Sequence, residues 1–133
     1  MPSTPPQTGV TVGNIVGKGA SVSRVSRTVV LQRLPLLAPD RFLRVSVSYD
    51  MGGMNFMSGS ESPRGYYLSA RVVEQTAGLE IYGMFSGCRK LLEPAARFSR
   101  TRLSEIGESA MSSPHLPPMV AKVLAQAGTS LTP

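Results

Sequence analysis

Polar and apolar residues alternate along residues 41–49, which places Leu43, Val45, Val47 and Tyr49 on one side and Phe42, Arg44, Ser46 and Ser48 on the other. Successive side chains of a strand point to opposite faces, so this pattern predicts a half-buried strand. The stretch "GYYLSARVVEQ", residues 65–75, repeats it with Tyr66, Leu68, Ala70 and Val72 inward and Tyr67, Ser69, Arg71 and Val73 outward. "TAG" then supplies turn residues, and "LEIYGMF" predicts a third strand with Leu79, Ile81 and Phe85 inward and Glu80, Tyr82 and Met84 outward. Residues 28–39 are also β-prone, but Pro35 and Pro39 confine them to an edge or a short piece.

After Gly87 the alternation stops. Leu91, Leu92, Ala95, Phe98, Leu103 and Ile106 fall near helical spacing, which predicts one helix from Ser86 to Met111, kinked at Pro94. "SSPHLPP" breaks it, "MVAKVLAQA" forms a short second helix, and Gly128 stops that one. The pattern therefore defines an α+β fold: a twisted antiparallel sheet of three to four strands covered on one face by a C-terminal amphipathic helix. Residues 1–27, rich in Pro, Thr, Ser and Gly, read as a flexible basic arm, residues 28–127 as a single domain and residues 128–133 as a frayed tail. The expected core is Leu43, Val45, Val47, Tyr66, Leu68, Val72, Leu79, Ile81 and Phe85 against Leu91, Leu92, Phe98, Leu103 and Ile106. Residues 50–64 form a connection longer than a hairpin needs, and its glycines make it a flexible one.

Composition adds a bias toward anions. Among 133 residues, 14 Lys and Arg outnumber 8 Asp and Glu, giving a net charge of +6, which favours a nucleic-acid partner. One cysteine, Cys88, permits no internal disulfide and suits a reducing cytoplasm. No leader peptide and no membrane span is expected from the chain's apolar runs.

Catalytic chemistry finds few parts. "GNIVGKGAS" differs from a phosphate-binding loop in two places: Gly13 and Gly17 enclose three residues instead of four, and Gly19 stands where a hydroxyl would hold magnesium. His115 is the single histidine, no base partner is evident for Cys88, and Asp50, Glu61, Glu74, Glu80 and Glu93 are scattered. No catalytic residue, metal site or cofactor is expected. The outer sheet face is the better candidate. Arg44, Tyr67, Arg71 and Tyr82 project from it, with Arg64, Arg89 and Lys90 at its rim. Arginines interleaved with aromatic rings on a sheet suit single-stranded DNA or RNA, with bases stacked on the rings and phosphates on the guanidinium groups. A second reading uses Met51, Met54, Phe56 and Met57 of the long connection as a loop that binds a host protein.

The block "YDMGGMNFMSGSESPRGYYLSARVV", with "FSGCRKLL" after it, resembles small uncharacterised proteins of bacterial plasmids, conjugative elements and phages. The match spans residues 45–92, about a third of the chain, and implies an accessory protein of a mobile element without implying an activity. Strands followed by an amphipathic helix also resemble, in layout, the Whirly and transcription-coactivator class of single-strand DNA-binding domains. That resemblance implies a homodimer and a fourth strand from residues 28–37.

Overall fold

The structure is a computed structural model and describes residues 23–25, 27–54, 59–81 and 87–133. Among the described residues, eight strands and two helices follow in order: β1 (Ser23–Val25), β2 (Thr28–Pro35), β3 (Arg41–Asp50), β4 (Gly53–Met54), β5 (Glu61–Ser62), β6 (Gly65–Thr76), β7 (Leu79–Ile81), β8 (Gly87–Pro94), α1 (Arg100–Ala110) and α2 (Leu116–Ala127). Six strands form one antiparallel sheet in the order β1-β2-β3-β6-β7, with β8 also paired to β6. The chain is an α+β protein built on an antiparallel meander.

The centre of the sheet follows the alternation. β3 and β6 pair along their length, Leu43 opposite Val72, Val45 opposite Ala70, Val47 opposite Leu68 and Tyr49 opposite Tyr66, so the apolar rows of both strands share one face. β6 passes to β7 through Ala77 and Gly78, both at positive φ, the backbone that a two-residue hairpin requires. β2 supplies Val29, Leu31 and Leu34 to the same core despite ending at Pro35, because proline stands at the strand's end and does not interrupt its ladder. A register shift between Val30 and Gln32 sets Gln32 opposite Val45, on the core side, where it is 1% exposed.

Both helices bury their apolar residues in that same cluster: Leu103, Ile106 and Ala110 from α1, and Leu116, Met119, Val120, Val123 and Leu124 from α2. α1 starts where the Ser99 hydroxyl accepts from the Arg102 N–H. Tyr66 fixes this point from below, its hydroxyl accepting from Ser99 N and donating to Ser99 O. α2 carries two prolines in its first turn and ends at Gly128 in the left-handed conformation, as the sequence predicts for that glycine. Among the described residues, no helix is long and apolar enough to cross a membrane.

Several expectations are corrected. Residues 87–94 form strand β8 and not the first half of a kinked helix. The reason is the free edge of β6, whose hydrogen-bonding groups are met by residues 87–94 from Arg71 opposite Gly87 to Gly65 opposite Pro94. A register shift between Tyr66 and Tyr67 breaks the alternation of β8 and produces the adjacent leucines that imitate helical spacing. Leu91 consequently pairs with Tyr67 on the face away from the helices, while Leu92 packs on the core. Leu79, expected inside, is 68% exposed because β7 lies at the sheet's margin, and Phe85 lies outside the described residues. Val73, expected outward, is fully buried beside Phe42. β1 falls inside the segment expected to be an arm, and residues 130–132 are held to the end of β2. There Leu37 N donates to Ser130 O, Thr132 N donates to Pro35 O and Leu131 packs on the core.

Candidate functional site

The sheet face opposite the helices carries the groups that the sequence singles out. Cross-strand pairing sets Arg33 opposite Arg44 and Arg44 opposite Arg71, so three arginines occupy one row over three adjacent strands. Like charges set directly opposite one another repel, and the Glu80 carboxylate offsets part of that repulsion. Burial lowers the pKa of Arg44, Glu80 opposes that shift, and Arg71 and Arg33 reinforce it. Arg33 is engaged on one side: it crosses the Phe42 ring at 5.1 Å, donates to Gln75 Oε1 at 2.9 Å and lies 3.6 Å from the Glu80 carboxylate. Arg71 is exposed and runs over Gly87, where a β-carbon would come within 3.2 Å of its Cγ.

Next to this row the face is closed. The Arg89 guanidinium lies 4.1 Å from the centre of the Tyr67 ring, and Tyr67 is 5% exposed. Arg89 Nη1 donates to Asp50 Oδ2 at 2.7 Å, and Arg89 Nη2 donates to Ser62 Oγ at 3.0 Å. Asp50 Oδ1 accepts from the Gly52 N–H at 2.7 Å. The Arg89 hydrogen bond, with that of Gly52, holds the Asp50 carboxyl below its ordinary pKa. The Tyr67 hydroxyl donates to Pro63 O at 2.6 Å. The connection expected to be flexible is thus anchored at both ends, and β4 and β5 pair within it, Gly53 with Ser62 and Met54 with Glu61.

The glycines of the "YDMGG" and "PRGYY" runs have steric reasons. Gly52 has φ +77°, and a β-carbon there would stand 2.7 Å from Ser62 O. A β-carbon at Gly65 would stand 2.3 Å from Glu93 O, because β6 and β8 cross closely at that point. Both runs close the connection onto the sheet.

Of the residues expected to bind nucleic acid, the structure brings Arg44 and Arg71 together in the row, and Tyr67 and Arg89 together beside it. Tyr67 is therefore not part of an open stacking platform: Arg89 and the Pro63 carbonyl already occupy its ring face and hydroxyl. Lys90 pairs with Leu68 and so starts from the helix side of the sheet's edge, exposed. Arg64 is exposed, and its carbonyl accepts from Ala95 N. Tyr82, Phe56 and Met57 lie outside the described residues. Met51 and Met54 are 47% and 53% exposed and border a groove of about 600 Å³ with Gly52, Gly53 and residues 61–64. Arg33 was missed by the sequence reading because the bulge in β2 obscures its alternation; its spacing to Arg44 becomes meaningful only once the strands pair.

A second groove, of about 350 Å³, lies where β8 meets the turn between the helices. Glu93 and Arg102 line it and form a two-pronged ion pair in which Arg102 Nε donates to Glu93 Oε2 at 2.8 Å and Nη2 donates to Oε1. Arg102 Nη1 also donates to Glu105 at 3.0 Å, so that one guanidinium is held by two carboxylates. The chain matches no protein-family model, no curated protein and no solved structure.

Proposed function

We propose that this protein binds nucleic acid through the sheet face opposite its helices, mainly by phosphate contacts and without strong sequence preference. The observation that carries the reading is the in-register row Arg33, Arg44 and Arg71, a line of like charges for which a polyanion is the fitting counterpart. The net charge of +6 adds long-range attraction. Single strands, DNA or RNA, suit it better than a duplex. A sheet face offers no helix or ribbon to enter a major groove, whereas an extended backbone can lie across the strands. The resemblance of the "YDMGGMN" and "PRGYYL" runs to mobile-element proteins is consistent with an accessory role.

A titration of labelled single- and double-stranded oligonucleotides at two salt concentrations tests this. Removing one phosphate contact by Arg71→Ala should weaken binding of every sequence alike and reduce the salt slope by about 0.7 for a single strand. If the parent and Arg71→Ala bind alike, the reading fails. A protein partner would then be favoured, and the exposed Met51 and Met54 beside their groove are where it would sit.

A further inference from the structure

We propose that Tyr67 and Arg89 form a nucleotide subsite on the same face, held shut in the free protein by Asp50. This rests on the nucleic-acid reading above and adds to it a stacking position and the group that closes it. Arg89 pairs with Ser69, two residues along β6 from Arg71, and Tyr67 lies two residues further, so on the same side of the sheet the backbone of Arg89 stands roughly 7 Å and that of Tyr67 roughly 13 Å from the arginine row.

Three contacts define the closed state. The Arg89 guanidinium covers the Tyr67 ring at 4.1 Å, Asp50 Oδ2 holds Arg89 Nη1 at 2.7 Å, and Ser62 Oγ holds Nη2 at 3.0 Å. Asp50 is itself aimed by the Gly52 N–H, which fixes Oδ1 and leaves Oδ2 for the arginine. A phosphate oxygen offers a guanidinium the same charge-assisted bond that a carboxylate offers, so a bound strand competes directly with Asp50 for Arg89. The pair is accessible to that competition, with 38% of the Arg89 side chain and 37% of the Asp50 side chain exposed. Exposed ion pairs of this kind contribute little to stability, so exchanging one anion for another costs little.

Tyr67 does not need to move. Its hydroxyl remains on Pro63 O while the guanidinium leaves the ring, and the uncovered π face then receives a base. The cation and the base use the same face of the ring, so a single event sets Arg89 on phosphate and Tyr67 on base. The ligand is a nucleotide unit within a strand; a free inorganic anion would take Arg89 but leave the ring without a partner.

Asp50→Asn tests the subsite, since asparagine keeps an acceptor for the Gly52 N–H and removes the charge that holds Arg89. Oligodeoxythymidine should bind Asp50→Asn at least about five-fold tighter than the parent at low salt, and Tyr67→Leu in that background should abolish the gain. In the parent itself, adding the oligonucleotide should shift the Tyr67 ring resonances in an NMR titration, a measurement that does not depend on any variant folding. If the parent binds in an Arg71-dependent manner but Asp50→Asn gains nothing and the Tyr67 resonances stay in place, the subsite is wrong and the arginine row stands. If the parent does not bind, both are wrong.

Discussion

The Arg89 guanidinium lies over the Tyr67 ring at 4.1 Å while the hydroxyl of the same tyrosine donates to Pro63 O at 2.6 Å, so one side chain is held by its face and by its tip. Truncating it removes a nearly buried ring together with both contacts. Tyr67→Ala should destabilise the protein by about 3 kcal/mol, and Tyr67→Phe, which loses the hydroxyl alone, by about 1 kcal/mol. Urea unfolding of the two variants measures this. Equal midpoints for the parent and Tyr67→Ala would mean that the ring is not packed as described.

Two glycines should respond in opposite directions to alanine. At Gly65 the new β-carbon meets Glu93 O at 2.3 Å and Pro94 Cα at 2.9 Å, and Gly65→Ala should cost about 2 kcal/mol or more. At Gly107, inside α1, it would stand 3.6 Å from Leu31 Cδ2 and 3.8 Å from Val29 Cγ1, which are ordinary contacts. Gly107→Ala should therefore stabilise by about 0.5 to 1 kcal/mol through helix propensity. Thermal unfolding of both variants tests the contrast.

Gln32 is a polar side chain placed in the core by a bulge, with Nε2 lacking a hydrogen-bond partner among the described residues. Gln32→Met keeps the length and removes the donor. It should raise stability by about 1 kcal/mol, since an unmade bond is lost without a made one. A drop in the urea midpoint would show that Gln32 has a partner after all.

Acid should loosen the Asp50 and Glu93 contacts. The Arg89 hydrogen bond, with Gly52, holds Asp50 below its ordinary 3.8, and the Arg102 hydrogen bonds hold Glu93 below its ordinary 4.5. A carboxyl whose folded pKa is depressed binds protons more readily in the unfolded chain. Its stabilisation is full only above its ordinary pKa, above about pH 5 for the two together, and is lost as pH falls through the lower folded value. Urea midpoints between about pH 5 and 2 should fall in the parent and fall less steeply in Asp50→Asn. Identical slopes would exclude the Asp50 contribution.

The parts legible in the sequence are those in which a local pattern decides. β3 and the centre of β6 alternate because one face is apolar, and α2 ends at Gly128 because a left-handed cap suits glycine. β8 was not legible: its identity depends on the vacant edge of β6, a partner some twenty residues away in the chain, and its bulge sets two leucines side by side. The site divides in the same way. The side of the sheet taken by Arg44, Tyr67 and Arg71 follows from parity, but the covering of Tyr67 depends on Arg89 reaching Asp50 across 39 residues, and no spacing rule reports that. The buried β2 and the apolar stripe of α2 were under-read because prolines flank both, yet those prolines fall at the end of β2 and in the first turn of α2, where they break nothing.

Among the described residues both helices follow every strand, and α2 brings five buried residues, Leu116 to Leu124, to the inner face of the sheet. A meander of this kind cannot stand alone with its apolar side in water. During synthesis the strands leave the ribosome first and wait with that side uncovered, for several seconds at about 5 to 20 residues per second, until residues beyond 124 have emerged. Nascent chains stalled before α2 should therefore be the species that chaperones hold and proteases cut, while the same strands in the finished chain resist both.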